Sequence, residues 1–270
     1  MTIDTRRHKF GNHLTRRIRT PVISSRKKVL VLFTFHKYIQ RVKDFINKAI
    51  FYDEQVDFLI ISSDNKIKLE LPSYVKYMTR ENIGYDFGAW SDGLMKNNIY
   101  KNYDNFIFLN SSVSGPYLPE NFKGKWTDIY LNGLRGNVKL FGSSINGRPN
   151  PLHRIHVQSY AFCMNKETLE YLIKEEIFSM VNYMKTFKSA INYREIMMSR
   201  LIITNGWNIG CLLPEYKGVD FTFKTKRPEE YKINLSIDFM NQQFKDKNWT
   251  KNDLVFVKGN RIDCKVDCKI

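Results

Sequence analysis

An α/β domain built on an open, mostly parallel sheet with helices on both faces is what this sequence predicts, and three observations predict it. Residues Val29–Phe35 (VLVLFTF) and 56–61 are continuous apolar, β-branched runs, which suit strands buried on both faces. Between them Ile39, Val42, Phe45, Ile46, Ala49 and Ile50 recur at helical spacing. Two further strand-like runs, 74–78 and 105–109, flank a Gly-bearing turn and helix at 82–93, so strands and helices alternate over the first 110 residues.

Short connections and right-handed crossovers bring the strand ends to one edge. That edge gathers Thr34, Phe35 and His36, then Ser62, Ser63 and Asp64, then residues 80–86, and finally Asn110, Ser111 and Ser112. Beyond it, Gly115-Pro116 and Pro119 break the chain, and 133–136 is a turn. Strands are expected at 138–143 and 157–164, the latter running into a helix at 166–177. The loop 146–156 (NGRPNPLHRIH) is polar, turn-rich and long enough to be functional. A helix at 193–204 ends at Asn205-Gly206, and a strand follows at 207–213. Past Pro228 the pattern weakens to a helix near 237–244 and a strand at 254–258. The expected organisation is a basic arm (1–27), one catalytic domain (28–227) and a C-terminal extension packed on or near it (228–270).

With 43% apolar residues, 19 Phe and 15 Tyr, the chain can bury a core, which excludes a disordered protein. Its net charge of +16 implies anionic partners: nucleotide phosphates, nucleic acid or an acidic membrane face. Part of the excess sits in the arm, where Arg6, Arg7, Lys9, Arg16, Arg17, Arg19, Arg26 and Lys27 face a single acid, Asp4. This is either a solubilising tail or a tether to an anionic membrane or other polyanion. No run of 18 apolar residues suggests a transmembrane span, and the start lacks a secretory apolar core, so a cytoplasmic protein is expected. Cys163 and Cys211 lie in apolar strand-like runs and are read as core packing, whereas Cys264 and Cys268 form a weak zinc signal.

Four constellations can carry chemistry. In the turn 80–90, Gly84 and Gly88 permit close approach, Asp86 can cap helix N–H groups or hold a sugar hydroxyl, and Arg80 can pair with phosphate. A helix start of this kind is a ready anion site, with Asn82 beside it. At the strand end, Asn110, Ser111 and Ser112 can hydrogen-bond a ligand but suit a divalent cation poorly. Such a site needs Lys or Arg as another source of positive charge. In the loop, His153, Arg154, His156 and Gln158 can hold a diphosphate or an acceptor sugar. Glu195, on an otherwise apolar helix, either serves as a general base or complements the helix dipole.

These pieces together resemble a GT-A type nucleotide-sugar glycosyltransferase, with its Rossmann-like sheet, and most closely the rhamnan-synthesis-protein group and its relatives in surface-polysaccharide clusters and large DNA viruses. The resemblance rests on ENIGYDFGAWSDGL (81–94), YDNFIFLNSSVSGPYLP (103–119), VQSYAFCMNKETLEYL (157–172) and REIMMSRLIITNGW (194–207). It implies that Asn82, Gly84, Asp86 and Gly88 lie against the donor nucleotide and its diphosphate. It also places Asn110, Ser111 and Ser112 where the family's metal-binding Asp-x-Asp motif falls. Neither outer position is acidic here, which questions any need for Mn2+ or Mg2+ unless Asp104 or Asp128 supplies a ligand. Glu195 matches the segment that carries the catalytic carboxylate of inverting members, with Gly206 at the helix end. The Lys-rich composition suits a viral or low-GC bacterial source, hence a host cytoplasm if viral.

The expected function is inverting transfer of a sugar from a UDP- or dTDP-activated donor, such as UDP-xylose or a rhamnose donor, to a glycan or glycoprotein hydroxyl. Thr34, His36, Arg80, Asn82, Gly84, Asp86, Gly88, Asn110, Ser111 and Ser112 would hold the donor. Arg80, Arg148 and Arg154 with His153 or His156 would steady the leaving diphosphate, and Tyr85, Trp90 and Tyr117 would pack on base or sugar faces. The alternatives are a non-catalytic nucleic-acid-binding protein, suggested by charge and aromatics, and a sugar-binding module.

Overall fold

The computed structural model describes residues 27–147, 154–227, 230 and 250–259. The basic arm up to residue 26, the helix expected at 237–244, and Cys264 and Cys268 lie outside the described residues.

Burial on both faces accounts for the first strand, since every residue of β1 (Val29–Phe35) is buried. In α1 (Gln40–Ala49) the residues at helical spacing, Val42, Phe45 and Ala49, turn inward. The Phe33 and Phe45 rings stack with centroids 3.8 Å apart. β2 (Val56–Ser62), β3 (Val75–Thr79), α2 (Tyr85–Met95), β4 (Asn105–Asn110) and a short β5 (Val113–Ser114) follow. Then come α3 (Trp126–Leu131), β6 (Val138–Gly142), β7 (Ile145–Asn146), β8 (His156–Val157), β9 (Ala161–Asn165) and α4 (Lys166–Lys174). α5 (Phe187–Ala190), a π-helical turn (Ile191–Ile196) and α6 (Met197–Thr204) run on to β10 (Asn208–Cys211). α7 (Lys251–Leu254) and β11 (Val257–Lys258) lie in the C-terminal segment.

Seven strands form one sheet in the order β10-β6-β9-β4-β1-β2-β3. β9 is antiparallel to β4 and β6, and every other neighbouring pair is parallel. This is the mostly parallel, Rossmann-like α/β architecture expected from the sequence. Alternation along β1 sends Leu30 and Leu32 to the face covered by Phe87 and Trp90 of α2, and Val31 and Phe33 to the face covered by Phe45 of α1. Trp90 is the hub of the first layer, edge-on to Phe87, Phe108 and Phe162 with centroids 5.2–5.6 Å away. Strand order reverses at β1, with β2 and β3 on one side and β4 on the other. The carboxyl ends of β1 and β4 therefore flank a crevice at the topological switch point, where Thr34 is in register with Asn110.

Four local expectations change. The strand expected at 157–164 is two, β8 and β9, parted where Ser144 Oγ bonds both Gln158 Oε1 and the Tyr160 hydroxyl. The helix expected from 193 begins earlier, because Thr186 and Ser189 form a capping box ahead of α5. The helix expected to reach 177 stops at Lys174, and Glu176 takes φ 59°. The strand expected at 254–258 is a short helix and then a strand. Thr250 and Asp253 cap α7, and Val255 ends it at φ 59°.

The segment 250–259 is held against the domain. Phe256 is fully buried, with ring centroids 5.0 Å from Trp126 and 6.0 Å from Phe45. Tyr117 N donates to Val255 O at 2.7 Å, and β11 pairs antiparallel with β5. Phe256→Ala should lower unfolding free energy by about 3–5 kcal/mol through lost burial and a residual cavity. Urea denaturation checks this, and an unchanged midpoint would show that the segment does not anchor there.

Candidate functional site

The turn before α2 delivers a carboxylate to the tip of β4. Gly84 sits at φ +73°, and a Cβ there would lie 2.7 Å from Tyr183 Cδ1; at Gly88 a Cβ would lie 2.5 Å from the Ile83 carbonyl oxygen. Only glycine allows so tight an entry into the helix. Asp86, in the first turn, then accepts a hydrogen bond from Asn110 Nδ2 at 2.8 Å. Asn110 Oδ1 in turn accepts Ser112 N at 2.9 Å, and Ser111 N donates to Thr34 O at 3.0 Å.

Glu195 reaches the same place from the other half of the chain. It lies on the π-helical turn, a feature frequent at functional sites. Its Oε1 accepts Ser159 N at 2.7 Å, and the adjacent Tyr160 carbonyl accepts Asn110 N at 3.3 Å. Because β9 runs antiparallel to β4, the turn before β9 meets the carboxyl end of β4. Burial, with the Glu195 charge adding to it, pushes the Asp86 carboxyl up from 3.8 to about 6, against the Asn110 hydrogen bond and the charge of Lys258. Asp86 at the tip of β4 is thus bonded to Asn110 and lies within the electrostatic reach of Glu195 and Lys258.

The other expected residues divide. Thr34 is buried under the crevice, whereas His36 is exposed with Nδ1 3.2 Å from Ser63 O. Asn82 is exposed and lines a cavity with Gly84, Tyr85 and Tyr183. Arg80, expected to pair with phosphate, is buried in an ion pair. Its side chain is 5% exposed, Nε is 2.5 Å from Asp92 Oδ2, and Tyr183 bonds the other oxygen of Asp92 while its ring lies under the guanidinium. Arg80 thereby ties the turn to α2, while its Nη1 is buried without a hydrogen-bond partner. Trp90, expected to face a ligand, belongs to the core, while Tyr85 is exposed and Tyr117 lies under Lys251 Nζ. His156 is buried with Nδ1 2.6 Å from Arg154 O, Arg154 Nη2 reaches Asn192 Oδ1 at 3.5 Å, and Gln158 is held by Ser144. His153 and Arg148 lie outside the described residues.

The two acids considered as metal ligands lie away from the strand tip. Asp104 Oδ2 accepts Lys28 N, and Asp128 lines a cavity with Val29 and Val56, so both lie at the amino edge of the sheet. Among the described residues no group of three His, Cys, Asp or Glu is placed to hold a metal ion. At the strand tip itself the donor set does not suit Mn2+ or Mg2+. Asn110 turns an N–H toward Asp86 and its carbonyl oxygen is engaged by Ser112, leaving hydroxyls where hard cations want carboxylates.

The sequence profile of rhamnan synthesis protein F (RgpF) matches residues 59–248, which takes in the α2 turn, the β4 tip and Glu195. The chain belongs to the rhamnan synthesis protein F family. It is also 25% identical over 138 residues to the virulence protein VirA of Vibrio anguillarum. That alignment covers 50% of this chain and 40% of the relative, so the chain spans well under half of the curated relatives it matches.

In this RgpF-family chain three charged residues near the site escaped sequence reading. Asp92 carries an i to i+6 relation to Asp86 that no motif marks. Arg41, on α1, donates from Nε to Ser111 O at 3.3 Å. Lys258 arrives on β11, from a segment whose sequence shows no strong pattern.

The Asp86 carboxyl generates a pH test. The folded state keeps its proton up to about 6, where an ordinary carboxyl releases it near 3.8. The folded state therefore binds more protons between these values, and this group's contribution to stability is lost as pH rises through them. Asp86→Asn removes the penalty and still accepts from Asn110. Its unfolding free energy should match wild type near pH 4 and exceed it by about 2–3 kcal/mol above pH 7. A difference that stays flat from pH 4 to 8 would contradict the assignment.

Proposed function

We propose that this protein is a glycosyltransferase of polysaccharide or glycan synthesis, moving a sugar from a UDP- or dTDP-activated donor to an acceptor hydroxyl with inversion. One observation carries the reading. The polar tip of β4, the carboxylate of the α2 turn and Glu195 converge at the switch point of a parallel sheet, where such folds bind nucleotides. Membership in the rhamnan synthesis protein F family supports the same reaction class. No helix among the described residues is long and apolar enough to cross a membrane.

In this reading Asn110, Ser111 and Ser112 line the donor side, and Asp86 holds donor hydroxyls. Glu195, with one oxygen fixed by the Ser159 N–H, takes the acceptor proton through the other. The acceptor oxygen attacks the anomeric carbon as the bond to the diphosphate breaks. The nucleoside diphosphate leaves with the bonding electron pair.

Glu195→Gln should lower turnover by about 10²–10⁴-fold, the range for a lost general base, while donor affinity measured by calorimetry is kept. A variant that transfers sugar at the wild-type rate removes Glu195 from the mechanism. Chelation with EDTA should leave transfer largely intact, as the donor set at Asn110–Ser112 suits no hard cation. Complete loss, restored by manganese, would reverse that expectation.

A further inference from the structure

We infer that Lys258 is a diphosphate-binding residue, supplying with Arg41 the positive charge that a divalent cation supplies at an acidic strand tip. The inference rests on the glycosyltransferase reading and assigns the leaving-group side of the same site. A departing nucleoside diphosphate gains negative charge in the transition state, so something cationic must face it.

Lys258 is brought there by backbone geometry. β11 pairs with β5 in the register Lys258 to Val113, directly after the strand-tip serines. Gly259 N donates to Ser112 O at 2.7 Å, which ties the two segments together. The approach is close, because a Cβ on Gly259 would lie 2.6 Å from Ser114 Oγ and 2.8 Å from Arg41 Cδ. Arg41 Nε reaches Ser111 O from α1, at 3.3 Å. The Arg41 side chain and the Lys258 backbone therefore flank the loop 111–114, and the Lys258 charge is felt by the Asp86 carboxyl.

The strain at Val255 fits this assignment. A β-branched residue at φ 59° is unfavourable, and it immediately precedes Phe256 and β11. Tight aromatic packing on Phe256 holds the backbone through it, setting the course of the chain toward Ser112.

The test uses the full chain, stripped of metal with EDTA, titrated calorimetrically with UDP and dTDP and, as controls, with uridine and thymidine. Lys258→Met should weaken the diphosphate by roughly 10- to 100-fold, the scale of a lost charge-assisted hydrogen bond, and leave the nucleoside unchanged. Lys258→Arg should restore most of the loss. A residue that only braces β11 would instead lower the melting temperature and weaken nucleoside and diphosphate alike. Lys258→Gln repeats the comparison if the Met variant does not fold. Wild-type diphosphate affinity in both neutral variants overturns the inference and leaves the glycosyltransferase reading standing. Diphosphate binding that requires manganese does the same. A wild-type chain that binds neither nucleotide nor transfers sugar overturns both.

Discussion

The hydrogen bond from Asn110 to Asp86 is the constraint on which the site depends. It joins the first turn of α2 to the tip of β4, two elements that also meet through the aromatic layer around Trp90. For Asp86 to reach Asn110, the chain must enter α2 through a left-handed glycine and pass its own carbonyl at Gly88 without a Cβ between. The Arg80–Asp92–Tyr183 cluster fixes that entry from behind. A charge pair so well shielded contributes little net stability once desolvation is counted, yet breaking it leaves a buried charge, so it specifies geometry more than it stabilises.

Electrostatics at the crevice are balanced rather than relaxed. Two carboxylates, Asp86 and Glu195, lie within each other's influence, and the nearer is held partly protonated near neutral pH. Burial and a specific charged neighbour perturb the group in the way that functional sites display, at a cost in stability above its pKa. The strand tip itself carries an amide and two serines, with Asp86 bonded to the amide and Arg41 to the Ser111 carbonyl.

Much of the fold was legible in the sequence, because buried parallel strands are continuous apolar runs. Val29–Phe35 could be little else. The helices at 40–49 and 85–95 followed from apolar spacing and glycine placement. What escaped depended on contacts between distant residues. The break between β8 and β9 is made by Ser144, and no local pattern announces it. At the site, Asp86, Asn110 and Glu195 were visible as polar residues at element ends, and the structure brings them together. The ion pair of Arg80 escaped because an arginine in a turn gives no sign of its partner Asp92 in the following helix. Lys258 lay in an expected strand, but nothing local showed that this strand pairs with β5 beside the tip of β4.

The pairing of β11 with β5 spans about half the chain, and closing so long a loop is slow relative to local helix and strand formation. The sheet from β1 to β4 can assemble from neighbouring segments first, whereas the wall bearing Lys258 is laid last. A growing polypeptide on the ribosome would thus hold a finished scaffold with one wall still missing until residues 250–259 have emerged and docked.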